Sequence, residues 1–295
     1  MSATNASEHA PLPPGVELLL APNPSLMTGP GTNTYLIADP ADQAAGCVVI
    51  DPGPEIESHL AAVARAATQH GGAHAILITH GHPDHVEGAA RLRALTGAPV
   101  LAWSHEGSAI VDETLTDGQV IGVGARQLHA VYTPGHRFDH LCFLLEDAGA
   151  LFAGDLVAGV GTVVIIPPEG DMLDYLASLR RLLTLDLRVI LPAHGPQIVN
   201  PHALLEDYLR HREAREAQVI AALAASAPAP QTVPALVTSI YTDVDPQLHP
   251  IAAHSVLAHL LKLEREGRAR RLGETAPHTH GLDAAWELTT QEMLA

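Results

Sequence analysis

The chain has 295 residues, enough for one large core with a smaller unit or for two ordinary domains. Hydrophobic residues at 47% and charged residues at 17% exclude a disordered chain. With 33 acidic against 16 basic residues the net charge is −17, so no overall field gathers phosphate backbones.

In chain order, the opening to residue 14 reads as a loose polar, Pro-rich arm without the apolar segment of a secretion signal. Short apolar runs bounded by Gly, Pro, Asn or Asp predict strands at 16–20, 35–38 and 47–50. Leu60, Val63 and Ala67 share one face of a helix predicted over 56–69, which Gly71-Gly72 ends. A buried strand follows at 75–78, then a helix over 86–96 and a strand at 100–103. Strands at 119–123, 127–132, 141–145 and 150–153, a helix over 171–185 and a strand at 188–191 complete this part. Strands in adjacent pairs, interrupted by helices, predict two sheets with outer helices. From about residue 202 the pattern turns helical, at 204–225, 233–241 and 251–266, followed by a β-like wing at 267–272. A domain boundary is placed at residue 200, giving domains 1–200 and 201–295. No apolar run approaches about 18 residues, so no membrane span is predicted. Cys47 and Cys142 lie in strand-like runs and read as buried thiols of a cytoplasmic chain.

The chemistry concentrates in the histidines, of which there are 19. Thr79-His80-Gly81-His82-Pro83-Asp84-His85 places three imidazoles and a carboxylate on one turn directly after a buried strand. A helix N-cap accounts for Asp84 alone but not for three histidines. Neutral imidazole is the commonest metal ligand, and a His-x-His pair on a turn presents two nitrogens to one ion. Three further strand ends each carry one more ligand type: His136 in Thr133-Pro134-Gly135-His136, Asp155 after Gly154, and His194 in Pro192-Ala193-His194. His80, His82, Asp84, His85, His136, Asp155 and His194 exceed one tetrahedral ion and suit two ions sharing a water. Imidazole and carboxylate without thiolate favour Zn²⁺, two per chain, with Mn²⁺ or Fe²⁺ as alternatives.

His80-x-His82-x-Asp84-His85, followed by His136, Asp155 and His194, resembles the five-motif signature of the metallo-β-lactamase superfamily across residues 15–200. The resemblance implies an α/β fold, an αββα sandwich with a dinuclear site at one edge. It implies that His80, His82 and His136 hold the first metal, that Asp84, His85 and His194 hold the second, and that Asp155 bridges them. Asp51, in Val49-Ile50-Asp51-Pro52-Gly53, matches the family's first motif, a carboxylate supporting the ligands; a turn-forming Asp before Pro-Gly is an equally good reading. Gly31-Thr32-Asn33-Thr34-Tyr35-Leu36, Gly135-His136-x-x-Asp139-His140, the 159–163 segment and the helical C-terminus are similar to the beta-lactamase-like protein 2 group. That likeness implies a C-terminal winged-helix-like domain; the group includes a single-strand-specific RNA endonuclease, and similar fungal proteins act as thioesterases.

The departures narrow the choice. True β-lactamases carry Cys or Ser where this chain has Asp155, and quorum lactonases carry Tyr where it has Ala158. The 39 residues from Asp155 to His194 leave no room for the inserted domain of the RNA-processing β-CASP branch. His82 argues against flavodiiron redox chemistry, and a chain with a single lysine, Lys262, lacks the basic residues of a glutathione site.

Two divalent ions about 3.5–4 Å apart lower the pKa of a shared water toward neutrality, so a metal-bridging hydroxide would attack a carbonyl or phosphoryl group. Asp84 is the candidate catalytic residue, orienting that hydroxide and taking its proton. His140 reads as a hydrogen-bonding support or a plain strand residue. Ser104 beside His105, and Ser25, form no supported triad. His278-Thr279-His280 is a weak metal motif that reads as polar tail. Lys262, Arg265, Arg268, Arg270 and Arg271 make the one basic cluster, a phosphate-contacting wing or a solvated helix end. From residue 201 onward, 8 basic and 12 acidic residues give a net −4. The reading is a metal-dependent hydrolase of a small-molecule ester or thioester. The alternatives are a single-stranded-RNA endonuclease with the same centre and, third, a winged-helix DNA-binding regulator. The sequence sets no oligomeric state.

Overall fold

The computed structural model describes residues 11–42, 44–103, 110–273 and 281–293. Ser104, His105, His278, Thr279, His280 and the first ten residues of the N-terminal arm lie outside them. The chain divides into two compact units: Met1–Thr133, Asp139–Val163 and Arg181–Leu205 form the first, and Pro134–Phe138, Val164–Arg180 and Glu206–Ala295 the second.

The first unit is built on two sheets. One joins β1 (Val16–Leu20), β2 (Asn33–Ala38), β3 (Cys47–Ile50), β4 (Ala73–Leu77), β5 (Val100–Ala102) and β6 (Glu113–Thr114) in sequential order. The other joins β7 (Val120–Val123), β8 (Arg126–Tyr132), β9 (Leu141–Leu145), β10 (Ala150–Gly154) and β11 (Val189–Pro192). Side chains alternate across each strand. Tyr35, Ile37, Val48, Ile50 and Leu77 from the first sheet therefore meet Leu128, Ala130, Phe143, Leu145 and Phe152 from the second in one buried layer. The intervening residues Leu36, Val49 and Ile76 face the other way. They pack with Leu60 and Val63 of α1 (Glu57–Gln69), while Leu92 comes from α3 (Ala89–Thr96).

The helix predicted over 86–96 is α3, which starts three residues later and is preceded by a separate helical turn, α2 (Pro83–Val86). Between them the Gly88 N–H leaves the helical pattern and donates to Gly53 O at 2.9 Å, which sets α2 off as a separate turn carrying Asp84 and His85. The two-residue β6 is absent from the sequence reading because both its residues are exposed and show no apolar alternation.

β3 and β4 run parallel, as do β10 and β11. Parallel strands deliver the residues after their C-termini to one edge. Asp51, the 79–85 turn, Asp155 and His194 all follow such ends.

The second unit contains most of α4 (Met172–Leu182) and of α5 (Pro201–Ser226), then α6 (Val233–Ile240), α7 (His249–Arg265) and α8 (Thr290–Met293). Its three-stranded sheet has the order β12 (Gln231–Thr232), β14 (Ala285–Leu288), β13 (Ala269–Leu272). Val256, Leu257, Leu260 and Leu263 of α7 pack with Leu236, Val237 and the fully buried Trp286, as their helical spacing requires. The wing expected at 267–272 is β13 paired with β14. Cys47 and Cys142 are free buried thiols, pushed by burial up to about 11 and about 12 respectively, so neither is a thiolate near neutral pH. No helix among the described residues is long and apolar enough to cross a membrane.

Candidate metal centre

Two groups of ligand-type side chains assemble at the strand ends. His80, His82, His136 and Asp155 form one, and Asp84, His85 and His194 the other; within each group the ligand atoms all lie within 4.8 Å of one another. These are the seven residues singled out in the sequence. Asp155 faces both groups with different oxygens. Its Oδ2 is 3.9 Å from His80 Nε2, while Oδ1 is 3.5 Å from His85 Nε2 and 3.2 Å from His194 Nε2.

The imidazoles are oriented by their other nitrogen. His85 Nδ1 lies 2.8 Å from Asp51 Oδ2, an acceptor-only partner, so it carries the proton. Thr79 Oγ1 donates to Asp51 Oδ2 at 2.7 Å and therefore accepts from His80 Nδ1 at 3.1 Å. His136 Nδ1 faces Val164 O at 3.2 Å, and His194 Nδ1 faces Gly31 O at 3.4 Å. In the neutral ring each of these four thus turns an Nε2 lone pair into the cluster, the arrangement by which supporting hydrogen bonds prepare histidine ligands. His85 Nε2 is buried with no hydrogen-bond partner, and His80 Nε2 and His82 Nδ1 face each other at 2.8 Å. Inward lone pairs, an unpartnered buried nitrogen and carboxylates on both sides fit divalent cations.

The electrostatics point the same way. Burial opposes protonation of His85, yet Asp155 and Asp51 outweigh it and raise its pKa well above the usual value. Burial likewise opposes protonation of His194, but hydrogen bonds to Asp155 and Asp84 push it up to about 9. Burial would raise Asp155, and the charge of His85 with the hydrogen bond from His194 holds it well below the carboxylate range. Asp84 is lowered in the same manner, chiefly by His194 against its burial. The site is a negative field that stabilises positive charge.

Asp51 settles between its two sequence readings. It sits at a positive φ of 49° and also accepts from Thr79 N–H at 2.8 Å, so the turn aims its carboxylate at the ligand strand and at His85. His140 supports the centre as well. Its Nε2 accepts from Asp155 N–H at 3.1 Å, which leaves the proton on Nδ1 to donate to Thr133 Oγ1 at 2.9 Å. Gly154, at φ +47°, has no room for a side chain: a Cβ would lie 2.7 Å from His140 Nε2 and 2.8 Å from Thr79.

Sequence reasoning did not assign roles to Thr32, Asn33, Asn23 or Asp139. Thr32 Oγ1 donates to Asp84 Oδ2 at 3.3 Å and is itself held by Asn23. Asn33 Nδ2 donates to Pro192 O at 2.9 Å and Gly195 O at 3.0 Å, clasping the His194 turn. Asp139 Oδ2 accepts from Gly81 N–H at 3.1 Å, inside the His-x-His turn. For Thr32 and Asn33 the signal was the polar Thr32-Asn33-Thr34 run at the start of an otherwise apolar strand, which period-2 patterning does not explain. Ser25 accepts from Met27 and Thr28 N–H within its own loop, as a turn residue does.

The sequence profile of the metallo-beta-lactamase superfamily matches residues 27–194, and that of the beta-lactamase associated winged helix domain matches residues 232–278. A beta-lactamase-like protein 2 homolog of Drosophila melanogaster is 31% identical over 272 residues, covering 85% of this chain and 88% of that protein. An atrochrysone carboxyl ACP thioesterase of Aspergillus fumigatus is 34% identical over 217 residues, covering 72% of this chain and 66% of the relative. The crystal structure of a metallo-beta-lactamase family protein from Thermus thermophilus superposes with a TM-score of 0.74 at 23% identity. The match covers 94% of this chain and 99% of that one, a likeness of fold. The chain belongs to the metallo-beta-lactamase superfamily, a superfamily of metal-dependent hydrolases, and its C-terminal part carries the winged helix domain associated with that superfamily.

Proposed function

We propose that this protein is a dinuclear zinc hydrolase acting on an ester or thioester of a small or carrier-bound acyl group. The observation that carries the reading is the pair of ligand groups with Asp155 turning one oxygen toward each. In this reading His80, His82 and His136 hold one ion, Asp84, His85 and His194 the other, and Asp155 both. The metal-binding domain spans 1–200 and the winged helix domain 201–295. When bound, the ions supply Lewis acidity and bring a water's pKa near neutrality.

The protein's own groups do the rest. Thr32 Oγ1 donates to Asp84 Oδ2, leaving Oδ1 to orient an attacking water and take its proton. Asp51 and His140 hold His85 and the Asp155 backbone in place, so the charged groups need no rearrangement as the tetrahedral centre forms. No side-chain nucleophile is required.

Two things favour acyl transfer to water over phosphodiester cleavage. A relative of 34% identity bears a thioesterase name. The wing's arginines, which an RNA-cleaving enzyme would direct at phosphates, are engaged by glutamates. Arg268 Nη2 lies 2.7 Å from Glu292 Oε1, Arg271 Nη2 lies 3.0 Å from Glu264 Oε2, and Arg270 pairs with Glu287. Lys262 Nζ sits 2.9 Å from both Glu216 and Glu266.

The test is an activity panel on zinc-loaded protein: acyl thioesters, lactones, nitrocefin, bis-p-nitrophenyl phosphate and single-stranded RNA. Thioester or ester turnover with about two equivalents of zinc per chain is the expected result. RNA cleavage without acyl hydrolysis would replace this reading with the endonuclease one.

A further inference from the structure

The loop that carries His136, Pro134–Phe138, has no regular structure of its own, so its backbone must be fixed from outside. Residues 164–178 do this. Gly135 O accepts from Asp171 N–H at 2.9 Å, and Pro134 O accepts from Ser178 Oγ at 2.7 Å. His136 Nδ1 faces Val164 O at 3.2 Å, and Arg137 Nη1 lies 3.3 Å from Glu169 Oε2. Gly135, at φ +127°, approaches α4 so closely that a Cβ there would fall 2.2 Å from the Tyr175 backbone.

Asp171 has three attachments. Its backbone N–H holds Gly135, the residue before His136. Its Oδ1 accepts from Leu173 N–H at 2.8 Å and Asp174 N–H at 3.1 Å, capping the start of α4. Its Oδ2 is ion-paired with Arg265 in the last turn of α7. One turn along α4, the Arg212 guanidinium of α5 lies 5.4 Å from the Tyr175 ring centroid. Side chains of α5 and α7 therefore converge on the first turn of α4, and that turn holds the His136 loop.

We propose that Asp171 is a positioning residue for His136, and that Arg265 of the winged helix domain sets the metal centre through it. The inference rests on the reading of His136 as a metal ligand. It gives the C-terminal domain a part in the centre that requires no nucleic acid. The ring direction of His136 is set by Val164 O and its backbone position by Asp171, so a shift at the head of α4 moves the ligand nitrogen.

The experiment is a Zn²⁺ titration of the metal-free full-length protein against a chromophoric chelator, with Co²⁺ substitution to record the visible ligand-field spectrum. Arg265→Ala should weaken one of the two zinc equivalents by about two- to fivefold, the scale of a partly exposed ion pair. Asp171→Ala, which also removes the cap, should weaken it by about tenfold or more, as loss of a supporting partner does at a metal site. In both, the other equivalent should stay as in the wild type and the Co²⁺ spectrum should change. Arg265→Lys should restore both readouts. Should Asp171→Ala fail to fold, Arg265→Ala and Asp171→Asn carry the test. Unchanged zinc affinities and Co²⁺ spectrum in Arg265→Ala and Asp171→Asn would overturn the proposal and leave the metal centre standing. So would equal weakening of both equivalents, which marks general destabilisation. A wild-type protein that takes up no zinc would overturn the metal reading itself, and this inference with it.

Discussion

Replacing Asp51 tests the claim that a carboxylate outside the ligand set organises the centre. Asp51 is 1% exposed, and Thr79 and His85, which it holds, are fully buried. Asp51→Ala leaves two buried donors of fixed direction, Thr79 N–H and His85 Nδ1–H, without their acceptor. Each stranded donor costs about 1–3 kcal/mol, so the pair costs about 2–6 kcal/mol. Alanine at a left-handed φ adds about 1 kcal/mol. That is a large part of an ordinary domain's stability of about 5–15 kcal/mol. Asp51→Asn separates the two roles. Asparagine tolerates the φ and can still accept from Thr79 N–H, so stability should fall less. Its amide NH₂ would instead confront His85 Nδ1, move the ring proton to Nε2 and remove the inward lone pair. Zinc affinity should then drop by about 10–100-fold. Urea unfolding of metal-free protein measures the first effect and chelator competition the second. An Asp51→Ala protein within about 0.5 kcal/mol of wild type, with unchanged zinc affinity, would refute the reasoning.

In zinc-saturated protein Asp84→Asn should lose turnover mainly in kcat, because the proton acceptor matters most in the transition state; steady-state kinetics with metal analysis checks it, and near-normal kcat with both metals kept would remove Asp84 from the mechanism. Neutralising Arg268, Arg270 and Arg271 together should leave thioester hydrolysis and zinc content unchanged and abolish no salt-sensitive RNA affinity; filter binding across a salt series would reveal the opposite. Glu216 is held down at about 2, its burial outweighed by His259 and Lys262. A carboxylate lowered in the folded state stabilises above its ordinary pKa of 4.5 and loses that contribution as pH falls toward about 2. Acid unfolding of Glu216→Gln should therefore lack a component of about 2–3 kcal/mol that the wild type loses across this window.

The seven ligand-type residues were legible because their side-chain types concentrate in short motifs at strand ends. Packing gives no reason for three imidazoles and a carboxylate to crowd one turn after a buried strand, and each later ligand type sits two to four residues past an apolar run. The strands were legible from alternation, since a residue such as Val49 must face the helices when Val48 faces the opposite sheet. What pattern could not supply was partnership across sequence. Asp51 acts on His85 over 34 positions, Asn33 on Gly195 over 162, and Asp171 on Arg265 over 94, and no local period records such separations. The split of α2 from α3 rests on Gly88 N–H finding Gly53 O, a contact that exists only after α1 has packed. The basic wing shows the same limit. Five positive residues from Lys262 to Arg271 read alike in sequence as a phosphate surface or a helix end. The folded chain adds what the local pattern lacks, since it brings Glu216, Glu264, Glu266, Glu287 and Glu292 against them. Sequence determines which chemical groups the protein owns and which side of a strand or helix they leave from. Tertiary structure decides which of them meet, and the charges, proton positions and supports of the metal centre follow from those meetings.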